Sequence, residues 1–394
     1  MIQLENNPKL GYYTLNDKAY YSKPQVLAES TRTGGFPHWN FNNQVFGAID
    51  TTVEPNVDIR MLYRMRAQQL REKYDYLRLE FSGGSDSATV LMSFINNGIH
   101  IDEIVCRYPK QGSKGLEANA KDTSSENILS EFEFAAKPFL QYVATHHPEI
   151  KITVHDFSEN MINYRGDESW IYKAKDYLHV EHTFKHDPLS TKEHINQAES
   201  GRKIGIIYGI DKPKLCIKDG RWCFYFLDIM ASHAQNVSGI YNNITTEYFF
   251  WQPDLPEIIV KQAHMVMNWF MQPQNQHLQF LLRWPNHSVS NRTTLESLIK
   301  PIIYPDYDST TWQVSKPTNN FYAEMSYWFF KNLSDTHFHK VWQAGIDHVV
   351  NTVDTKFFTY KLGKPVGFVG FLSPFYDLGP ATFLNKDITK ELMK

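Results

Sequence analysis

Residues 76–98 read YLRLEFSGGSDSATVLMSFINNG. The stretch begins with Tyr76–Phe81, whose aromatic and aliphatic residues predict a β-strand. A glycine-rich turn follows, and residues 87–97 predict a helix that ends at Gly98, where a left-handed cap is favoured. A strand, a glycine-rich loop and a helix in this order are typical of the first unit of an α/β fold.

The same alternation of strands and helices continues along the chain. The predicted elements are strand Ile101–Cys106, helix 125–146 with a kink at Pro138, strand Lys151–Phe157 and strand Ile204–Gly209. Such an order implies right-handed crossovers between parallel strands. We therefore predict an α/β fold with a twisted parallel sheet and flanking helices.

The first strand carries charges where a buried parallel strand would be apolar throughout. Arg78 and Glu80 alternate with Leu77, Leu79 and Phe81. Either one face of this strand is only partly covered, or the sheet contains an internal ion pair.

A second sequence pattern predicts a hairpin. Residues 214–228 read KLCIKDGRWCFYFLD, and two β-rich runs flank the Asp219-Gly220 dipeptide. An Asp-Gly pair between such runs favours a two-residue turn with positive φ angles. We therefore expect two antiparallel strands here.

We divide the chain into three regions. Residues 1–75 form a leader rich in Asn, Gly, Pro and aromatic residues, followed by a helix that Asn56 or Asp58 caps. Residues 76–254 form the α/β domain. Residues 255–394 form a mainly helical extension with short strand-like runs near its end.

Composition narrows the class of protein. The chain has 40 Lys+Arg and 43 Asp+Glu, a net charge of −3, which disfavours general nucleic-acid binding. Three cysteines, Cys106, Cys216 and Cys223, are too few for a disulfide framework, so a cytoplasmic location is expected. The N-terminus lacks a secretory signal and no apolar run is long enough for a membrane span, so no membrane association is expected.

The loop at residues 82–87 has the chemistry of an anion-binding site. Its members are Ser82, Gly83, Gly84, Ser85, Asp86 and Ser87. The glycines lack a Cβ, so the backbone can approach a bulky anion, and the following helix presents free N–H groups. The serine hydroxyls add donors. The aspartate cannot attract phosphate itself, but it can hold the Mg²⁺ that shields phosphate charge.

This run resembles the SGGxDS loop of the PP-loop ATP pyrophosphatase superfamily, which has an adenine nucleotide α-hydrolase-like (HUP-like) fold. Asparagine, GMP and NAD synthetases, tRNA-modifying enzymes and sulfonucleotide reductases belong to that superfamily. The resemblance covers about residues 76–215 and implies ATP and Mg²⁺ as cofactors. It also implies that the loop grips the β,γ-pyrophosphate while Asp86 binds the metal. Neither a Walker A ending nor a GxGxxG motif is present.

The resemblance also implies roles for residues at other strand ends. Arg107, in the segment that ends the second strand, would lie near the base or ribose of the nucleotide. Gly209, Asp211 and Lys212 follow the fourth strand and match the position of a second site loop. Asp211 would be a second Mg²⁺ ligand, and Lys212 would stabilise phosphate charge. The alternative is that these residues only make the turn into the hairpin.

The implied reaction is adenylation: a substrate oxygen attacks the α-phosphorus, pyrophosphate leaves, and a second nucleophile displaces AMP. We expect no fused glutaminase of the type that begins with a processed cysteine, since residue 2 is Ile2. Three scattered cysteines are too few for a four-cysteine zinc site, and none lies near the C-terminus as in a sulfonucleotide reductase. We expect a small-molecule or nucleobase acceptor, and the sequence leaves open whether the chain forms a homo-oligomer. Two alternatives remain: an enzyme that binds an adenylyl-sulfate, and a regulator or scaffold that holds a nucleotide without turnover.

Several other polar or aromatic groups have a functional and a structural interpretation. The structural interpretation is favoured for each. We interpret His146-His147 as a helix end, and His155-Asp156 as the end of a strand with a core histidine. The other groups are a loose polar loop with His182, His186 and Asp187, a solvated loop with Arg165, Asp167 and Glu168, and a packed aromatic core at residues 245–254.

Overall fold

A computed structural model describes most of the chain. The described residues are 6–116, 129, 132–173, 178, 192–228, 243–285, 289–308, 327–361 and 363–381. All structural statements below concern these ranges. Of the groups singled out from sequence, His182, His186 and Asp187 lie outside them.

The strands are numbered in chain order. They are β1 Tyr12–Leu15, β2 Lys18–Tyr20, β3 His38–Asn40, β4 Tyr76–Phe81, β5 Glu103–Tyr108, β6 Lys151–Asp156, β7 Ile204–Tyr208, β8 Lys214–Lys218, β9 Arg221–Tyr225, β10 Ile244–Tyr248, β11 Phe358–Lys361, β12 Lys364–Phe368 and β13 Tyr376–Pro380.

The α-helices are α1 Lys23–Thr33, α2 Asn43–Ala48, α3 Ile59–Lys73, α4 Ser85–Ile95, α5 Lys137–His146, α6 Ser158–Ile162, α7 Lys192–Glu199, α8 Glu257–Met271, α9 Val289–Ile303, α10 Tyr327–Asn332 and α11 His337–Thr352. Short 3-10 helices occur at Pro8–Leu10, Glu168–Lys173, Gln276–Leu282 and Thr355–Phe357, and a π-helix at Phe132–Ala136. No helix in the described ranges has the length and apolar character needed to cross a bilayer.

The central sheet has five strands, all parallel, in the order β10-β7-β4-β5-β6. Numbered along the chain from β4, this order is 3-2-1-4-5. The chain reverses its direction across the sheet between β4 and β7, so a crevice opens at their carboxyl ends, where open α/β sheets bind ligands. The predicted α/β fold with a parallel sheet and flanking helices is confirmed. The finer assignment to the PP-loop class stays a prediction.

Most predicted elements of this domain are present, with shifted ends. Strand β4 has the predicted bounds, whereas α4 begins at Ser85, two residues before the predicted start. The predicted kink corresponds to a π-helix at Phe132–Ala136, which passes into α5 with Pro138 in its first turn. Proline is tolerated there because the N–H it lacks has no helical partner in a first turn.

The charges of β4 form an internal ion pair, as one of the two alternatives predicted. All six residues of the strand are buried. Arg78 Nε donates to Glu80 Oε1 at 2.9 Å, and Arg107 of β5 donates to the same carboxylate through Nε at 2.7 Å and Nη2 at 3.1 Å. A buried charge is tolerated because its partner lies beside it.

Three antiparallel sheets accompany the parallel one in the described ranges, and the smallest is the pair β11-β12. The leader folds into a sheet of order β2-β1-β3, and the predicted hairpin is confirmed as β8-β9, which β13 extends. Its turn has positive φ at Asp219 (51°) and Gly220 (77°). Asp58 caps α3 by accepting from Arg60 N at 2.8 Å. The extension is mainly helical, and the three regions contribute to one hydrophobic core; the domain boundaries stay a prediction.

A buried ion pair joins the leader to the end of the β8-β9 hairpin. Lys23 Nζ lies 2.7 Å from Asp228 Oδ2, and both side chains are fully buried. Tyr13 donates to the same oxygen at 2.7 Å, and the backbone N–H of Phe371 donates to the other at 2.9 Å. The leader, the end of the hairpin and the C-terminal extension therefore meet at one carboxylate.

Candidate functional site

The loop after β4 packs tightly against the backbone of the π-helix at Phe132–Ala136. Gly83 has φ +77°, and a Cβ at this position would come within 2.5 Å of Ala136 N and 2.6 Å of Ala136 Cα. Backbone atoms cannot move aside as a flexible side chain can. Only glycine therefore satisfies both the dihedral angle and the close approach.

The amino end of α4 has hydrogen-bond donors available. Gly84 is the N-cap residue and no side chain caps the helix, so first-turn N–H groups have no helical partner. Ser85 is 1% exposed, and its hydroxyl has no hydrogen-bond partner among the residues that the structure describes. A buried hydroxyl without a partner is unfavourable, and an anion bound at this end would satisfy it.

The other two serines of the loop have different surroundings. Ser87 Oγ donates to Gly84 O at 3.2 Å and accepts from Ser82 N at 3.3 Å, so this hydroxyl holds the shape of the loop. Ser82 is exposed, at the open side of the loop, and its Oγ accepts from Gly84 N at 3.3 Å. Ser82 is therefore the accessible serine of the loop, whereas the Ser85 hydroxyl is a buried donor that a ligand would reach only if the loop opened.

The turn after β7 lies against the first turn of α4. A Cβ at Gly209 would come within 2.9 Å of Asp86 C and Ser87 N. This close backbone contact brings the residues after Gly209 to the loop. The two segments that sequence analysis singled out thus meet at the carboxyl edge, one from each strand beside the crevice.

Lys212 joins the two acidic residues of these segments. Its Nζ lies 2.8 and 2.9 Å from the two oxygens of Asp86 and 3.1 Å from Asp211 Oδ1. Lys214 Nζ lies 2.7 Å from Asp211 Oδ2 and 3.3 Å from Glu296 of α9. Negative and positive side chains therefore alternate along one row, which consists of Asp86, Lys212, Asp211, Lys214 and Glu296.

Burial and charge act in opposite directions on the pKa values of this row. Burial would raise the pKa of Asp211, but the ammonium groups of Lys212 and Lys214 lower it well below its usual range. Burial would likewise lower the pKa of Lys212, but the carboxylates of Asp211 and Asp86 raise it. Asp211 and Lys212 are therefore ionised at neutral pH.

The extension contributes a phenol to the same row. Tyr304, directly after α9, is 1% exposed, and its hydroxyl donates to Asp86 Oδ1 at 2.5 Å. Nothing in the local sequence at residue 304 indicated this contact. Glu296 and Lys214 were also missed, although Lys214 lies at the start of a strand that borders the predicted loop.

The acidic residues could hold Mg²⁺ only together with phosphate. The described residues contain no group of three or more metal-ligating side chains. Mg²⁺ in phosphate sites commonly uses one or two carboxylates, with phosphate and water oxygens as the other ligands. The Asp86 side chain is 25% exposed and Asp211 11%. The Lys212 ammonium and a Mg²⁺ ion would use the same carboxylate oxygens of Asp86. Asp86 therefore fits the role of a metal ligand when Lys212 moves from it to a phosphate.

Arg107 and its neighbour lie at the end of β5. Arg107 is buried in the ion pair with Glu80, so its role toward a nucleotide stays a prediction. Tyr108 stacks on Phe132, with ring centroids 4.1 Å apart and planes 8° from parallel. Phe132 begins the π-helix whose last residues contact Gly83, so one ring of this aromatic pair lies on the segment that packs against the loop.

The remaining sequence candidates have local structural partners. His146 Nδ1 lies 2.9 Å from Tyr142 O on the surface of α5, and Asp156 accepts from Ser158 N at 3.0 Å. Arg165 donates to two carbonyls of its own loop, and Asp167 accepts from Ser169 N. Their structural interpretation fits these contacts.

His155 has a buried Nε2 atom without a hydrogen-bond partner in the described part of the chain, and burial lowers the pKa of this histidine. The segment 245–254 contains the end of β10 and then Phe249, Phe250 and Trp251, which are buried. The aromatic residues thus belong to the core, as favoured from the sequence. Comparison of the chain with protein-family models and with curated proteins found no match.

Proposed function

We propose that the chain binds ATP at the carboxyl edge of the sheet, between β4 and β7, and cleaves it between the α- and β-phosphates. One observation carries the proposal. The uncapped amino end of α4, the partnerless hydroxyl of Ser85 and the ammonium of Lys212 belong to two loops in backbone contact. Together they make a donor-rich position suited to a pyrophosphate group once Lys212 has moved from Asp86 to a phosphate.

The residues of the loop act by binding and orienting. First-turn N–H groups of α4 and the hydroxyls of Ser82 and Ser85 would donate to phosphate oxygens. The Lys212 ammonium would leave the Asp86 carboxylate and bind these phosphate oxygens, because Asp211 still neutralises the ammonium. Mg²⁺ held by Asp86 would supply charge neutralisation for the leaving pyrophosphate. The protein thus lowers the barrier mainly by electrostatics and positioning.

The acceptor would be a small molecule or a nucleobase that receives the adenylyl group. A PP-loop synthetase is the class that best fits the loop and the strand order. An adenylyl-sulfate ligand has the same phosphate chemistry, and a regulator that holds ATP without turnover would use the same donors. Product analysis separates these alternatives.

The test uses the purified full-length chain with Mg²⁺ and α-labelled ATP. We expect AMP and pyrophosphate from the wild type and none from Asp86→Asn. The matched control is Asp102→Asn, since Asp102 also pairs with a basic side chain, Arg71 at 2.7 Å, but at the amino edge of the sheet. This control should retain product formation.

Each product pattern decides between the candidate functions. ADP in place of AMP would mean that the loop does not direct cleavage to the α,β bond. ATP binding without any product, in the presence of varied carboxylates and nucleobases, would support the regulator. Absence of ATP binding by the wild type would overturn the proposal.

A further inference from the structure

Tyr304 is the side chain of the C-terminal extension that reaches the acid of the loop. Its hydroxyl donates to Asp86 Oδ1 at 2.5 Å, across 218 positions of sequence. The phenol oxygen has one hydrogen-bond partner in the described part of the chain, this carboxylate. A hydrogen bond to an ionised group is stronger than one between neutral groups.

The end of α9 is held in place independently of Asp86. Tyr63 of α3 donates to Ile303 O at 2.7 Å, and Gln262 of α8 donates to the Tyr63 hydroxyl at 2.8 Å. The Tyr304 ring packs against Phe250, with centroids 5.4 Å apart. Because α3 and α8 fix the backbone beside it, the phenol is presented to Asp86 in a defined position.

Lys212 and Tyr304 differ in what else they can bind. Lys212 has a second acceptor in Asp211, so it can leave Asp86 and remain neutralised. Tyr304 has no such second acceptor among the described residues. When the ammonium moves to a phosphate, the phenol is the donor that keeps the carboxylate oriented.

We propose that Tyr304 is a positioning residue of the nucleotide site: it orients Asp86 to bind a divalent cation after Lys212 has moved to phosphate. This inference rests on the proposed function. It gives α9 and its C-terminal end a role in the site, in addition to packing against the α/β domain.

The test measures metal binding without turnover. Mn²⁺, a paramagnetic substitute for Mg²⁺, is titrated by electron paramagnetic resonance in the presence of α,β-methylene-ATP, which cannot be cleaved at the α,β bond. Tyr304→Phe keeps the ring and removes the hydroxyl. Tyr63→Phe is the matched control, since it removes the phenol that holds the same helix end but does not touch Asp86.

For Tyr304→Phe we expect Mn²⁺ affinity to fall by about tenfold or more, the effect of one hydrogen bond to a charged group. Affinity for the nucleotide without metal should change less than about twofold, since the phosphate donors remain. Tyr63→Phe should lose less Mn²⁺ affinity than Tyr304→Phe, because the Tyr304 hydroxyl that donates to Asp86 is still present. It should lose more thermal stability than Tyr304→Phe, because two buried hydrogen bonds are removed.

The outcomes distinguish the inference from the proposed function. If both tyrosine variants lose Mn²⁺ affinity equally, Tyr304 acts only through the fold and the inference is wrong. Unchanged or tighter Mn²⁺ binding by Tyr304→Phe would also overturn it, while wild-type AMP formation would leave the proposed function standing. A wild-type chain that binds neither the analogue nor Mn²⁺ with it overturns both.

Discussion

Lys212 and Asp86 form the ion pair that joins the two loops of the candidate site. The ammonium lies 2.8 and 2.9 Å from the two carboxylate oxygens, although the residues are 126 positions apart. They follow β7 and β4, the strands on either side of the crevice. The candidate site therefore consists of two loops that the order of strands in the sheet brings together.

The first prediction concerns Lys212→Met, which removes the cation proposed to bind phosphate. Affinity for ATP should fall tenfold to hundredfold, the range of one lost hydrogen bond to a charged group, about 1.5–3 kcal/mol. Unfolding free energy should also fall by about 3 kcal/mol, since Asp86 and Asp211 lose their shared partner. Isothermal titration calorimetry and urea unfolding measure the two effects.

The control for this variant is Lys261→Met. Lys261, on α8, is also largely buried, and its ammonium lies 2.7 Å from the Glu54 carboxylate. It should destabilise the fold while ATP affinity stays within about twofold of wild type. Equal loss of ATP affinity in both variants would show that the effect of Lys212 comes from the fold.

A second prediction follows from the partnerless hydroxyl of Ser85. In Ser85→Ala the unfolding free energy should remain unchanged or rise slightly, because a buried polar group without a partner is removed. ATP affinity should fall by about threefold to tenfold, the effect of one neutral donor. The matched variant is Ser93→Ala on the same helix, whose hydroxyl donates to Thr89 O at 2.7 Å. It should leave ATP affinity unchanged.

Sequence analysis predicted the parts of the site that depend on local chemistry. Aromatic and aliphatic residues that alternate with Arg78 and Glu80, followed by Ser-Gly-Gly, predict β4 and the loop. The family resemblance implied that Asp211 and Lys212 belong to a second loop at the same edge. Sequence analysis missed β10, Ile244–Tyr248, because the strand includes Thr245, Thr246 and Glu247. The buried Glu247 carboxylate accepts from Arg66 of α3 at 2.9 Å, from Lys73 at 2.6 Å and from the Tyr74 hydroxyl at 2.5 Å, partners that the local sequence of the strand does not indicate.

Contacts between distant segments could not be predicted in the same way. Tyr304 reaches Asp86 because α3 and α8 fix the end of α9, and no residue near 304 carries a signal for that arrangement. Helix α11, His337–Thr352, was also missed. Its N-cap is Thr336, which accepts from His339 N at 3.2 Å, but its buried residues are few, Phe338, Gly345 and Val349. The apolar residues of this helix do recur at helical spacing, at Phe338, Val341, Trp342, Ile346 and Val349, so the sequence carries a signal that could have predicted it.

A third prediction tests the close packing of the loop. Gly83→Ala should lower the unfolding free energy by about 3 kcal/mol or more, from positive φ plus the clash with the Ala136 backbone. Gly98→Ala is the control, since Gly98 has φ +61° but no atom within 4 Å of an added Cβ. It should lose only about 1–2 kcal/mol, the cost of the left-handed conformation. Equal losses in urea unfolding would contradict the packing argument.

The last prediction concerns the buried network at the amino half of the sheet. Arg78 Nη1 lies 2.9 Å from His194 Nδ1, and since arginine can only donate, His194 carries its hydrogen on Nε2, 2.7 Å from Glu103. Thr153 also donates to Glu103, at 2.5 Å. Burial would raise the pKa of Glu103, but these donors lower it from 4.5 to about 2.

A folded-state pKa below the unfolded one means that Glu103 stabilises the protein above pH 4.5 and loses this effect as the pH falls toward 2. The difference in unfolding free energy between wild type and Glu103→Gln should therefore be largest near pH 7, up to about 3 kcal/mol, and should shrink by pH 3. Urea unfolding at several pH values measures it. The exposed Glu72, which accepts from Gln68, gives the control Glu72→Gln, with a small difference at every pH. A Glu103→Gln difference that is constant between pH 7 and 3 would show that Glu103 stabilises the fold by packing and not by its charge.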